Sequence, residues 1–101
     1  MSAWFLTPKA AEGIERIWEY IAEGSGVRRA DKVVDDIFTA IENLSDMPGM
    51  GHAREDLADE NLLAWPVHSY LVVYRDRRPL EVVHVVSGYR DLFELFANMG
   101  A

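Results

Sequence analysis

The spacing of apolar residues changes midway along this chain of 101 residues, and the change restricts the fold more than any other feature. Before residue 48 the apolar residues recur three or four positions apart, as they do on one face of an α-helix. After residue 61 they form short runs rich in valine, leucine and aromatic residues, which are typical of β-strands. Because the chain is long enough for only one modest core, the two halves predict a single α+β domain over residues 1–101.

The first half predicts an antiparallel pair of helices, since only a Gly-Ser-Gly link at residues 24–26 separates two helical patterns. Thr7 is a good N-cap and Pro8 suits the first helical position, so the first helix begins there. Its apolar face consists of Ile14, Ile17, Trp18 and Ile21. The second helix has a longer apolar stripe and ends before Pro48, because the residue that precedes a proline disfavours the helical conformation.

The second half predicts a three-stranded antiparallel meander, because short turns join its strand-like runs. The runs are residues 62–65, 70–74 and 80–87. Pro66 follows the first run, and a proline suits an edge strand since it has no N–H to donate. Residues 3–6 predict a fourth strand. The expected architecture is a two-layer β-α-α-β-β-β domain, in which the helical hairpin packs on one face of an antiparallel sheet, followed by a short helical tail at residues 92–99.

The charge of the chain is acidic and unevenly distributed. The net charge is −7, and residues 1–60 hold thirteen acidic against six basic side chains. Proteins that bind nucleic acid directly usually present a basic surface, so this balance argues against that use. It favours a protein partner that has a basic face. Arg75, Arg77 and Arg78 form a small local basic patch.

The composition excludes several kinds of site. The chain has no cysteine, so it forms neither a disulfide nor a cysteine-ligated zinc site. His52, His68 and His84 lack the spacing of metal ligands, and no nucleotide-binding motif is present. No apolar run approaches the roughly 20 residues of a membrane span, and the N-terminus does not resemble an export signal. We therefore expect a cytoplasmic protein without metal, cofactor or membrane contact.

Few residues are candidates for chemistry or contact. The last strand-like run is followed by Tyr89, Arg90 and Asp91, which place an aromatic, a cation and an anion together. These residues either contact a target or fix the tail, with Arg90 bonded to a carbonyl or carboxylate and Asp91 as N-cap. His84 alternates with valines in a strand, which is typical of a half-buried or surface histidine.

The order of elements and several local motifs resemble the ParE branch of the RelE/ParE toxin superfamily. The motifs are Ile-Trp-Glu-Tyr-Ile at 17–21, Pro-Gly-Met-Gly at 48–51 with Arg54 and Leu57, His-Ser-Tyr-Leu-Val-Val-Tyr-Arg at 68–75, Val-His-Val-Val at 83–86 with Gly88, and Arg-Asp-Leu at 90–92. Together they cover nearly the whole chain, and their order and spacing are more specific than any single motif. The resemblance implies the toxin of a two-gene toxin–antitoxin system, with a role in plasmid or chromosome maintenance in a bacterial cytoplasm.

The superfamily has two activities, and both remain open for this chain. ParE-like toxins inhibit DNA gyrase by binding it, whereas RelE-like toxins are ribosome-dependent mRNA endonucleases. Cleavage requires cations and an acid–base group around the scissile phosphate. The candidates here are Arg54, Arg75, His84, Tyr89 and Arg90. Because both lysines lie in the helical half and the chain is acidic, we expect gyrase inhibition and no catalytic residue.

The resemblance also implies a ParD-like antitoxin that wraps the toxin in a hetero-oligomer. In residues 70–74 both alternating sets of side chains are apolar, so both faces of this strand need cover, and the helices can cover only one. The other face is a candidate binding surface for an antitoxin helix or strand, or for a second copy of the chain. The predicted contacts are Trp65, Tyr70, Val72 and Tyr74, together with Asp35 and Asp36, whose acidity would attract a basic segment. For the two acids, a solvated helix face is the alternative.

Overall fold

The computed structural model describes residues 3–53 and 61–87. The elements are β1 (Trp4–Leu6), α1 (Pro8–Ser25), α2 (Val27–Asp46), a single 3-10 turn (Pro48–Met50), β2 (Leu62–Val67), β3 (Tyr70–Arg75) and β4 (Leu80–Ser87). This order confirms the predicted β-α-α-β-β-β architecture. Strand β2 is two residues longer than predicted, and the predicted tail at residues 92–99 lies outside the described residues.

The four strands form one sheet in the order β1-β4-β3-β2. Both β2–β3 and β3–β4 are antiparallel, which confirms the predicted meander. Strand β1, whose direction the sequence does not predict, runs parallel to β4, so the sheet is antiparallel except at this edge. The backbone N–H of Leu80 bonds the Ala3 carbonyl at 2.9 Å, and that of Thr7 bonds the Val82 carbonyl at 3.0 Å. These two bonds hold β1 beside β4 in that direction.

Thr7 joins the start of α1 to the sheet, and its role as N-cap is confirmed. Its hydroxyl accepts a hydrogen bond from the Ala10 N–H at 3.1 Å and donates one to the Val83 carbonyl at 2.7 Å. One side chain therefore satisfies an N–H at the helix start and fixes the position of α1 over β4.

Strand β2 lies at the edge of the sheet, as Pro66 predicts. Ala64 exchanges backbone hydrogen bonds with His52 at 2.9 and 3.0 Å, so its polar groups point away from β3. Because backbone groups alternate along a strand, Pro66 faces the same outer edge. The N–H that proline lacks therefore breaks no hydrogen bond of the sheet.

The helical hairpin packs on one face of the sheet and forms the main core. Its buried residues come from α1, α2, β3 and β4, and they include Ile14, Ile17, Ile21, Val33, Ile37, Ile41, Leu44, Val72, Tyr74, Leu80, Val82 and Val85. Helix α1 approaches β4 so closely at Gly13 that an added Cβ would lie 2.2 Å from the Val85 carbonyl oxygen. Trp18, on the predicted apolar face of α1, packs against this core but stays half-buried, and its indole N–H donates a hydrogen bond to Asp31 at 2.8 Å.

The opposite face of the sheet is apolar and buried as well. Its buried residues are Leu62, Ala64, Leu71 and Val73, with Val83 and Val86 packed against them. Strand β3 is thus buried on both faces, as its two apolar sets predict. Neither of the two described helices has the length and hydropathy needed to cross a membrane.

Candidate partner-binding surfaces

The predicted antitoxin contacts on the sheet lie beneath the helices. Val72 and Tyr74 are fully buried in the main core. Trp65 and Tyr70 pack against the same core but remain half-buried. Burial excludes Val72 and Tyr74 as contact residues of this fold and corrects that part of the prediction. The sequence shows two apolar sets on β3, but it does not show which of them the helices cover.

Tyr74 has a structural role that the sequence pattern does not reveal. Its hydroxyl donates a hydrogen bond to the Pro48 carbonyl at 2.5 Å and accepts one from the Gly51 N–H at 3.0 Å. Burial raises the pKa of the Tyr74 phenol, against the lowering effect of the Gly51 N–H. Tyr74 thereby fastens the 3-10 turn and Gly51 to the sheet. The only sequence signal for this contact is the Pro-Gly-Met-Gly motif at residues 48–51.

The exposed aromatic group at the edge of β2 consists of Trp65 and His52. Their rings stack with centroids 6.1 Å apart and an angle of 17° between the planes. Because His52 is exposed and Trp65 is half-buried, part of this pair faces solvent. A flat aromatic surface at a sheet edge is a common anchor point for a partner protein.

Asp35 and Asp36, adjacent in the sequence, have different environments. Asp36 accepts a hydrogen bond from the Lys32 ammonium at 2.8 Å and lies 2.7 Å from the His68 Nε2. The hydrogen bond from Lys32, and to a smaller extent that with His68, holds the pKa of Asp36 below its ordinary value. Asp36 therefore links α2 to the β2–β3 turn, where His68 has a positive φ of 54°. Asp35 is exposed on α2 and is the acid more accessible to a partner.

Two of the five nuclease candidates fall within the described residues. The Arg75 Nε lies 3.4 Å from a carboxylate oxygen of Glu81. His84 is half-buried opposite Val73, and burial, helped by the nearby Lys9, lowers its pKa. Arg54, Tyr89 and Arg90 lie outside the described residues, as do all three predicted target contacts, Tyr89, Arg90 and Asp91. Within residues 3–53 and 61–87, no group of three His, Asp or Glu side chains could hold a metal ion.

Comparison with known proteins agrees with this fold. The family model described as "ParE toxin of type II toxin-antitoxin system, parDE" matches residues 5–92. A solved structure described as "Chromosomal ParDE TA system from P. aeruginosa" is similar with a TM-score of 0.72 and 18% sequence identity, over 86% of this chain and 96% of that chain. At this identity the similarity shows a shared fold. No curated protein sequence matches the chain. Because the family model covers most of its length, the chain belongs to the ParE toxin family of type II toxin–antitoxin systems.

Proposed function

We propose that this ParE toxin inhibits DNA gyrase by binding it in the bacterial cytoplasm, and that a ParD-like antitoxin neutralises it. The observation that carries the proposal is the family match over residues 5–92, together with the motifs that resemble the gyrase-inhibiting branch. Inhibition by binding requires a complementary surface and no reacting group. The chain then arrests replication through contact alone.

The electrostatic environments of Arg75 and His84 support binding over RNA cleavage. A nuclease must direct positive charge at the scissile phosphate. Arg75 lies opposite Glu81, whose carboxylate would repel a phosphate, and His84 lies opposite Val73, so the two candidates stand at different positions along the sheet. The net charge of −7 also disfavours close approach to an RNA backbone.

The predicted antitoxin contacts that remain accessible lie in one neighbourhood. Because Asp36 bonds His68, the middle of α2 lies against the β2–β3 turn. Trp65 and Tyr70 lie on the two strands that flank this turn, within three residues of its ends. Asp35 adds an exposed acid beside them. This surface suits an antitoxin segment that carries both apolar and basic side chains.

The helical layer supplies the long-range attraction for such a segment. Helices α1 and α2 hold nine acidic and five basic side chains, a balance of −4. A negative surface of this kind raises the rate of association with a basic partner more than it raises the final affinity. We therefore expect Asp35→Lys to slow antitoxin association, and Glu19→Lys, an equal charge change on α1, to slow it less.

Expression of the toxin in a bacterium tests the proposed target. We expect filamentation and induction of the DNA-damage response, and rescue when the antitoxin is expressed together with the toxin. Arg90→Ala should abolish growth arrest at equal expression while antitoxin binding persists, because Arg90 is a predicted target contact. Rapid translation arrest with cut mRNA would instead identify a RelE-like endonuclease. Continued arrest by the Arg90→Ala protein would show that Arg90 makes no essential target contact, and loss of its folding would assign Arg90 to the structural role.

A further inference from the structure

The two edges of the sheet differ in how they are protected against a further strand. At the β2 edge, Ala64 already exchanges backbone hydrogen bonds with His52, and Pro66 has no N–H to offer. Strand β1 reads Trp-Phe-Leu and contains neither a proline nor a charged residue. Soluble proteins usually protect an exposed edge with such residues, because outward-facing backbone groups attract another strand. The apolar β1 edge is therefore a candidate interface, and its short length implies a weak, reversible contact.

The outer side of β1 presents backbone groups that can pair with another strand. The Ala3 carbonyl and the Thr7 N–H both bond β4. Because backbone groups alternate along a strand, those of Trp4 and Leu6 point away from β4. Among the strands that the structure describes, β1 is the last of the sheet and pairs with β4 alone. The N–H and carbonyl groups of both residues therefore face outward.

Phe5 adds an exposed aromatic ring to this edge. Trp4 and Leu6 pack against the main core, so Phe5, which lies between them, projects from the opposite face of the sheet. Its side chain is 43% exposed. Residues 3–7 carry no charge, so the edge offers apolar contact and backbone hydrogen bonds together.

We propose that β1 pairs with the β1 strand of a second copy of this chain, in an antiparallel contact about a two-fold axis at Phe5. Trp4 of each copy then lies opposite Leu6 of the other, and the two residues exchange backbone hydrogen bonds. The two Phe5 residues face each other at a position without such bonds, where opposing side chains approach most closely and aromatic pairs are favourable. The strand is thus complementary to itself.

A second copy suits this edge better than the antitoxin does. The accessible surface proposed for the antitoxin includes Trp65, Tyr70 and Asp35, and β2 lies at the other end of the sheet from β1. The uncharged residues 3–7 would not select a basic antitoxin segment. Because each copy carries a net charge of −7, salt should strengthen the contact by screening the repulsion between the copies.

Cysteine cross-linking tests the contact directly, because the chain has no cysteine of its own. Opposing residues without ladder bonds have Cα atoms about 4.5 Å apart, within the range of about 4.4–6.8 Å that a disulfide spans. We expect Phe5→Cys to form a disulfide-linked dimer rapidly when copper–phenanthroline oxidises the thiols. The matched control is Tyr20→Cys on α1, where the native side chain is 71% exposed. Random collision would cross-link this more accessible position at least as fast, whereas the proposed contact predicts much slower cross-linking there.

Sedimentation velocity measures the dimer without a cross-link. We expect the wild type to change from monomer to dimer as its concentration rises to about 1 mM, since so small a contact is weak. Phe5→Lys should raise the Kd of dimerisation by at least about tenfold, because it removes the aromatic pair and places two like charges opposite each other. Tyr20→Lys makes the same change in charge at a more exposed aromatic residue and should leave the Kd nearly unchanged.

Three results would overturn the proposal. The first is a wild type that stays monomeric up to about 1 mM; if Phe5→Lys also weakened antitoxin binding, the edge would belong to an antitoxin strand. The second is equal weakening of dimerisation by Phe5→Lys and Tyr20→Lys, which would indicate nonspecific association. The third is cross-linking of Tyr20→Cys as fast as that of Phe5→Cys.

Discussion

At the residue scale, Tyr74 packs so closely against Gly51 that no space remains for another carbon atom. A Cβ added to Gly51 would lie 2.2 Å from the Tyr74 hydroxyl oxygen and 2.8 Å from its ring, and Tyr74 is fully buried. The buried ring cannot move aside without displacing the core around it. The Pro-Gly-Met-Gly motif is thus explained by the contact that its last glycine makes with β3.

We expect Gly51→Ala to lower the free energy of unfolding by about 1–3 kcal/mol, because the methyl group overpacks the site and displaces a hydrogen-bonded hydroxyl. Gly49→Ala is the matched control, since a Cβ at Gly49 has no neighbour within 4 Å. Its effect should stay within about 0.5 kcal/mol. Urea denaturation of the three proteins measures both values. Equal stability of the two variants would show that the Tyr74 contact does not restrict residue 51.

His84 should make the stability depend on pH. Burial lowers its pKa below the ordinary value of 6.5, so the folded state binds a proton less readily than the unfolded state. The contribution of His84 to stability is therefore complete above about pH 6.5 and is lost as the pH falls toward the folded pKa. We expect the wild type to lose more stability than His84→Gln between pH 7.5 and 5.5, as followed by urea unfolding. Parallel pH profiles of the two proteins would contradict this.

At the scale of elements, the approach of α1 to β4 depends on the small size of Gly13. A Cβ at this position would lie 2.2 Å from the Val85 carbonyl oxygen, which belongs to the backbone of β4 and cannot rotate away. The helix and strand would have to separate, and the hydrogen bond from Thr7 to Val83 would be strained with them. The small size of this one residue therefore determines the distance between α1 and β4.

We expect Gly13→Ala to destabilise the protein by about 1–3 kcal/mol through this overpacking. Gly24→Ala, in the same helix, should stabilise it by about 0.4–1 kcal/mol, because no atom lies within 4 Å of the added Cβ and the unfolded chain loses freedom. Thermal unfolding of both variants gives the comparison. A Gly13→Ala protein at least as stable as the wild type would show that α1 can move away from β4 at little cost.

The elements with local signals were predicted well, and those that depend on distant contacts were not. Thr7 and Pro8 mark the start of α1, because a helix cap acts on the backbone of the next few residues. Pro66 marks β2 as an edge strand, because proline has no backbone N–H to donate to a neighbouring strand. The direction of β1 depends on its pairing with β4, about 75 positions away in the sequence. The face of β3 that the helices cover depends on contacts with α2, about 40 positions away. Likewise, the bond between Asp36 and His68 has no local pattern that predicts it.

At the scale of the whole molecule, charge is unevenly distributed between the helices and the β3–β4 turn. The helices carry a balance of −4, and residues 75–81, around the β3–β4 turn, carry +1. The excess acidity was visible in the sequence, whereas the convergence of Arg75 and Arg77 on Glu81 required the fold.

The central claim is that this ParE toxin acts by binding gyrase rather than by cutting RNA. The most direct measurement adds purified toxin to DNA gyrase with relaxed plasmid, and in parallel to translating ribosomes. We predict that supercoiling is inhibited, that the antitoxin restores it, and that the mRNA stays intact. Cleaved mRNA on the ribosomes, together with undiminished supercoiling, would contradict the account.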